Sequence, residues 1–169
     1  MRSVTRVIIV SLTLIGCVGC DQASKSMARS YLVPGVPESL LHDVIRLQLA
    51  ENAGAFLSVG ATLSDHVRFE VFVVAVAVIL VGLLMAALFT RRLGTVRIVA
   101  LAFLAAGGAS NLLDRLTDGG RVTDFFNVGI GPIRTGIFNV ADLAIVTGAL
   151  LFVFGGSRAR ADRSIIRGD

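Results

Sequence analysis

The sequence predicts an all-α membrane protein with a small external β platform, and three observations carry that prediction. The 169-residue chain is 54% hydrophobic and only 17% charged, with a mean hydropathy of +0.80, well outside the range of ordinary soluble domains. Its apolar residues gather into four runs of nearly bilayer-spanning length. Its basic residues are sorted between the connections of those runs, so that a topology can be read from them.

The four predicted transmembrane helices cover residues 4–20, 67–90, 96–113 and 137–155. The second is the clearest, since Val71 to Phe89 carries no charge and Gly82 is its one helix-disfavouring residue. In the third and fourth runs the polar residues collect toward one end. The third also carries Ala105-Ala106-Gly107-Gly108-Ala109, small residues that permit close helix packing in lipid. The first run has a competing reading as a cleaved leader, because Leu14-Ile15-Gly16-Cys17 has the form of a lipid-accepting cysteine motif. The polar stretch from Asp21 is the external end of a retained helix in the preferred reading. Cys17 and Cys20 form a C-x-x-C pair, but among Leu14, Ile15 and Val18 they read as buried small hydrophobes rather than a redox couple.

Residues 21–66 form an external segment too long to lack structure of its own. Pro34, Gly35 and Pro37 mark a turn within it, and Val44 to Leu49 reads as a strand lying over the membrane surface. The other external connection, 114–136, is rich in Gly, Asp and Arg and reads as a mobile loop. A tail of residues 156–169 completes a single membrane-embedded domain.

Nine of the sixteen basic residues fall on one side: Arg2 and Arg6, then Arg91, Arg92 and Arg97, then Arg158, Arg160, Arg163 and Arg167. Lys25, Arg29, Arg46, Arg68, Arg115, Arg121 and Arg134 are interleaved with acids in the other two connections. The positive-inside rule therefore puts both termini in the cytoplasm. A net charge of +4 could suggest nucleic-acid binding, but anionic lipid and topology account for juxtamembrane arginines, and no nucleic-acid partner is expected.

Ionisable groups at the ends of membrane helices are costly unless paired or wetted, so their accumulation marks a site. Asn111, Asp114 and Arg115 occupy neighbouring helical positions, as do Asn139 and Asp142. Asp142 lies five residues after Ile137, about 7 Å into the predicted helix, deeper than a cap requires. Asp124 precedes that helix, and Phe125 and Phe126 are expected to anchor it at the interface. Two carboxylates in one desolvated site share a proton, so one can act as base toward water while the other acts as acid. No metal is expected: there is no H-E-x-x-H, and neither His42 nor His66 has a ligand-spaced partner. Structural readings compete at each acid, namely Asp114 beside Arg115, Asp118 near Arg121, and Asp142 favoured at a helix N-terminus. Spacing alone leaves catalysis, ion translocation and structural pairing open.

Read together, the polar clusters resemble the bacterial lipoprotein signal peptidase (signal peptidase II) family over nearly the whole chain. Asp21-Gln22-Ala23-Ser24-Lys25 is similar to D-Q-x-S/T-K, and Asn52-Ala53-Gly54-Ala55 to N-x-G-A. Gly107 to Arg115 is similar to G-G-x-x-N-x-x-D-R, Val122-Thr123-Asp124-Phe125 to V-x-D-F, and Phe138 to Asp142 to F-N-x-A-D. The resemblance implies an aspartic endopeptidase of the bacterial inner membrane, with its site toward the periplasmic face. It would remove the signal peptide from diacylglyceryl-modified prolipoproteins by cutting just before the lipidated cysteine. By the same resemblance Asp124 and Asp142 are the catalytic pair and Asn52, Gly54, Asn111, Arg115 and Asn139 line the substrate site. Asp21, Lys25 and Asp114 support it. No cofactor is implied, and the partners are prolipoprotein substrates and membrane lipid, with the protein a monomer. One departure is Ala55-Phe56-Leu57, where the family commonly has two small residues before Phe; this bears on pocket shape rather than chemistry. A proton or ion relay through the same carboxylates, or a lipoprotein or scaffold subunit, are the alternatives from other classes.

Overall fold

The computed structural model describes residues 3–54 and 62–155. Phe56, Leu57, Arg2 and the tail arginines at 158, 160, 163 and 167 lie outside the described residues. Among these residues, four helices and one antiparallel sheet follow in the order α1 (Ser3–Tyr31), β1 (Glu38–Leu40), β2 (Ile45–Asn52), α2 (Asp65–Phe89), α3 (Thr95–Thr117), β3 (Val122–Ile130), β4 (Ile133–Arg134) and α4 (Val140–Phe154). Three of them, α1, α2 and α3, are long and apolar enough to cross a membrane, and α4 is a shorter apolar helix. Lipid is the solvent this surface needs. The most apolar window of α2 has only 17% of its residues buried within the protein, and Val78, Ile79, Val81, Met85 and Phe89 all face outward. Cys17 and Cys20 are free thiols, Cys17 half-buried and Cys20 exposed, so neither is fully buried as the sequence suggested.

Several boundaries differ from those expected. The first helix runs eleven residues past Cys20 to Tyr31, because Asp21 and Lys25, four apart, point together into the bundle and pair there. The third helix continues to Thr117. The fourth begins only at Val140, since Phe138 is held extended by an antiparallel bridge to Phe126 and Asn139 serves as the N-cap. The connection expected as a mobile loop contains β3, whose Val122 to Phe125 are buried. It lies at the centre of a sheet ordered β1-β2-β3-β4. Phe125 is no interface anchor; it packs into a core with Ala28 and Leu32 at the end of α1.

The bundle is knit at both ends. Arg6 donates to the carbonyls of Leu88 (3.1 Å) and Thr90 (3.0 Å), satisfying the last turn of α2. Val10 joins a core with Ala87, Ile98, Leu101 and Ala102. A leader cleaved before Cys17 would remove both residues from this packing. At the far end of the sheet, Leu41, His42 and Asp43 take left-handed backbone angles. Asp43 accepts hydrogen bonds from Ser39 and Arg46 and its backbone carbonyl accepts one from Arg134, tying the two hairpins together. The guanidinium of Arg46 holds the Asp43 carboxyl well below the usual carboxylate range.

Helices α3 and α4 approach each other closely at glycine. A Cβ at Gly107 would stand 2.3 Å from the carbonyl oxygen of Ala141 and 2.7 Å from Cγ1 of Ile145. One at Gly108 would meet only the flexible Leu80 side chain. We expect Gly107→Ala to push α4 away, costing about 1–3 kcal/mol as overpacking does, and to lower both thermal stability in detergent and turnover, with Gly108→Ala milder on both.

Candidate active site

The polar ends of α1, α3 and α4 converge with β3 on a buried network, and its centre is Lys25, fully buried on α1. Its ammonium has three protons, and the network supplies three acceptors: Asp21 Oδ2 at 2.6 Å, Asp114 Oδ2 at 2.8 Å and Asn111 Oδ1 at 2.9 Å. Asp114 pairs with this lysine and not with its sequence neighbour Arg115, as consecutive helical residues face different ways. Its other oxygen accepts from Gln22 at 2.7 Å, and Oδ2 also accepts the backbone N–H of Thr123 at 3.2 Å, which fixes the start of β3 against α3. Asp118 likewise pairs with Arg29, at 2.6 Å, and Arg121 with Glu51, at 2.6 Å.

The N-terminus of α4 is built by this network. Asn139 Oδ1 accepts the Asp142 N–H at 2.9 Å while Asp142 Oδ2 accepts the Asn139 N–H at 3.2 Å, a reciprocal capping box. Asp21 Oδ1 reaches across from α1 to take the Ala141 N–H at 2.8 Å. Two carboxylates thus satisfy N–H groups that the helix cannot, where its dipole favours negative charge. Asp142 sits in the first turn of the helix, not one turn inside as the sequence suggested. Capping occupies only one of its oxygens; Oδ1 accepts from Asn111 Nδ2 at 2.9 Å.

Asp124 approaches from β3. A bulge between Leu47 and Ala50 adds one residue to β2 opposite Asp124–Phe126, and such bulges re-aim side chains. The carboxylate is 3% exposed as a residue and held by two amides: Asn52 Nδ2 at Oδ2 (3.0 Å) and Asn139 Nδ2 at Oδ1 (2.6 Å). Asn139, fully buried, therefore binds both acids, Asp124 with its side chain and Asp142 with its backbone. Burial pushes the Asp124 carboxyl up to about 6, with the charge of Asp142 adding to the rise and the hydrogen bonds from Asn52 and Asn139 opposing it. A carboxyl so placed keeps its proton into the range where it can act as an acid.

Arg115 completes the arrangement. Its guanidinium donates to the carbonyl of Gly54 at 2.5 Å and to that of Asn111 at 3.2 Å, and lies over the Phe72 ring at 5.5 Å. Phe72 belongs to a π-helical turn of α2, residues Glu70–Ala75, a local widening often found at functional sites. A cavity of about 300 Å³ opens between α2, α3 and α4; Asn111, Arg115 and Asp142 form its polar lining and Phe72, Val76, Ile145 and Val146 its apolar wall.

All ten residues singled out in the sequence fall in this network or border it. Sequence reasoning did not single out Gln22, Ser110 or Phe72. Gln22 lay inside a quoted motif; Ser110, fully buried, donates to Asp21 Oδ2 at 2.7 Å. Phe72 gave no signal within a uniformly apolar run. Among the described residues no group of three or more His, Cys, Asp or Glu side chains is placed to hold a metal ion.

Residues 13–156 match the Signal peptidase (SPase) II family. The chain is 33% identical over 157 residues to a lipoprotein signal peptidase of Desulforapulum autotrophicum, covering 90% of this chain and 92% of that protein. It is 32% identical over 133 residues to the lipoprotein signal peptidase of Hydrogenovibrio crunogenus, covering 79% and 76% respectively. A solved structure described as a bacterial membrane enzyme at 2.3 Å resolution superposes with a TM-score of 0.74 at 23% identity, covering 94% of this chain and 90% of that one, a likeness of fold. On the match along most of its length, this chain belongs to the signal peptidase II family.

Proposed function

We propose that this membrane protease removes the signal peptide from lipoprotein precursors, hydrolysing the bond just before a diacylglyceryl-modified cysteine, with Asp124 and Asp142 as the catalytic pair. The observation that carries the assignment is their shared support: two carboxylates from different elements, bridged by Asn139. Desolvation and the charge of Asp142 both favour a proton on Asp124.

In this reading a water held by the pair loses a proton to the ionised carboxylate as its oxygen attacks the scissile carbonyl. The protonated carboxyl hydrogen-bonds to the carbonyl oxygen as charge develops there. Collapse of the tetrahedral intermediate breaks the C–N bond, and a carboxyl proton passes to the departing amine. The products are the signal peptide with a new carboxylate and the lipoprotein with a free amino group on its cysteine. Asn52, Asn111 and Asn139 position the acids. Gly54 and Arg115 bind substrate backbone beside the 300 Å³ cavity, whose apolar wall suits an apolar segment entering from lipid. Asp21, Lys25 and Asp114 brace α1 and α3 and the first turn of α4.

The same reading takes all four helices as spans, with both termini in the cytoplasm, the site toward the periplasmic face of the inner membrane, and a monomer as the working unit. The 15 residues of α4 rise about 22 Å, so the extended Phe138 and the sheet above it complete the crossing. A proton relay is less well supported: beyond Asp142, neither Val76–Phe89 nor Leu143–Phe154 contains an ionisable side chain.

Purified protein given the same precursor with and without diacylglycerol on its cysteine tests this reading. Cleavage of the lipidated form exceeding that of the unlipidated form by about 100-fold or more is expected, as the acyl chains hold the cysteine in register beside the pair and add packing contacts the unlipidated form lacks. Equal cleavage of both would refute the substrate assignment.

A further inference from the structure

A second cavity, of about 500 Å³, also has Arg115 in its lining, with neither Asp124 nor Asp142 among its described lining residues. Three guanidiniums line it: Arg68 from the first turns of α2, Arg115 from the last turns of α3, and Arg121 from the connection into β3. Asp65 is the one acidic residue among its described lining residues. Phe69 and Val73 contribute apolar surface, and both belong to the end of α2 where its long apolar run begins. Phe69 is half exposed there, as aromatic residues are at the boundary of a bilayer. The cavity therefore sits where polar headgroups meet acyl chains.

Arg68 pairs with Asp65, and Arg121 pairs with Glu51 with both side chains more than half exposed. An exposed pair such as Arg121–Glu51 contributes little and leaves that guanidinium able to take a second anion. Arg115 makes no ion pair among the described residues, and its buried Nε has no hydrogen-bond partner there. Gly119 and Gly120, with φ of +61° and +82°, turn the chain sharply at the end of α3 and leave that rim free of side chains.

We propose that this cavity binds the phosphate of an anionic glycerophospholipid, separate from the peptide substrate. Guanidiniums meet phosphate oxygens in paired hydrogen bonds, and the Phe69–Val73 surface accepts the glycerol end and the first methylenes of the chains. A bound headgroup supplies Arg115 with a counter-charge of its own. The inference does not depend on which residues perform hydrolysis.

The test is lipid retention by the delipidated protein in detergent, read by native mass spectrometry. The probes are phosphatidylglycerol, a diacylglycerol with the same chains, and inorganic phosphate as competitor. Wild-type protein is expected to retain phosphatidylglycerol in preference to diacylglycerol, with retention falling about ten-fold for each of Arg68→Gln and Arg121→Gln. Arg46→Gln, which removes an equal charge at the far end of the sheet, is expected to leave it unchanged. Equal retention of the two lipids, undiminished retention by the double variant, or an equal loss in Arg46→Gln would overturn the proposal. Displacement by inorganic phosphate as effective as by lipid would reassign the site to a free anion and also overturns it.

Discussion

Asp124→Asn and Asp142→Asn are each expected to lower kcat for a lipidated precursor by roughly 10²- to 10⁴-fold, the scale of a lost general acid or base, while leaving the protein folded. The local structure explains why folding survives. Asp124 accepts amide hydrogens from both Asn52 and Asn139, so an asparagine there must turn its own NH₂ toward one of these donors. One hydrogen bond is lost, at about 1 kcal/mol, and relief of the repulsion between the two acids offsets part of that loss. At position 142 the asparagine oxygen can keep the N–H of Asn139 and so the capping box, but its NH₂ then faces the Nδ2 of Asn111, which donates to Asp142. Thermal unfolding in detergent, run beside the cleavage assay, separates the catalytic loss from a structural one.

Lys25→Met is expected to have the largest effect on stability, about 3–5 kcal/mol, the cost of breaking a buried charge network by removing one partner. The methionine fills similar volume, but Asp21 and Asp114 are left with no cation between them, each 1% exposed or less. Asp21 also holds the Ala141 N–H and Asp114 the Thr123 N–H, so their displacement disturbs the first turn of α4 and the start of β3 together. The expected result is a large fall in folded yield and midpoint temperature, with activity lost as a consequence. Adding Asp114→Asn to Lys25→Met removes one stranded charge and is expected to restore part of the stability.

How far these features were legible in the sequence depended on which signal each carried. The four apolar runs marked the helices because lipid demands uninterrupted hydrophobicity. Helix ends were lost where side-chain pairing governs them. Asp21 to Tyr31 is polar by composition, yet helical because Lys25 finds its partners inside the bundle. The strand β3 was hidden because Val122, Thr123, Asp124 and Phe125 are all buried, so no alternation shows, and its Gly- and Arg-rich flanks dominate the composition. Asn111 and Asp114 were recognisable as polar groups on a membrane helix, but the nearest charge in sequence, Arg115, was the wrong partner for Asp114. The role of Asn139 in bridging two acids from different elements depends on the sheet returning beside α4, which no local spacing encodes. Only the ordered set of motifs pointed to it.

The pH dependence of kcat/KM, measured for the wild type and Asn52→Ala, tests most directly whether the Asp124 proton governs hydrolysis. Loss of the proton shared by the pair removes the acid, so activity falls as pH rises through the Asp124 titration, about 6, on a limb that belongs to both acids together. Asn52 donates to Asp124 Oδ2 and favours its ionised form. Removing that hydrogen bond should therefore move the limb upward by about one pH unit, a change that mere loosening of the fold would not produce. A descending limb near 6 that shifts upward in Asn52→Ala is the predicted result. A wild-type profile with no such limb, or a limb that stays in place when Asn52 is replaced, would contradict the account.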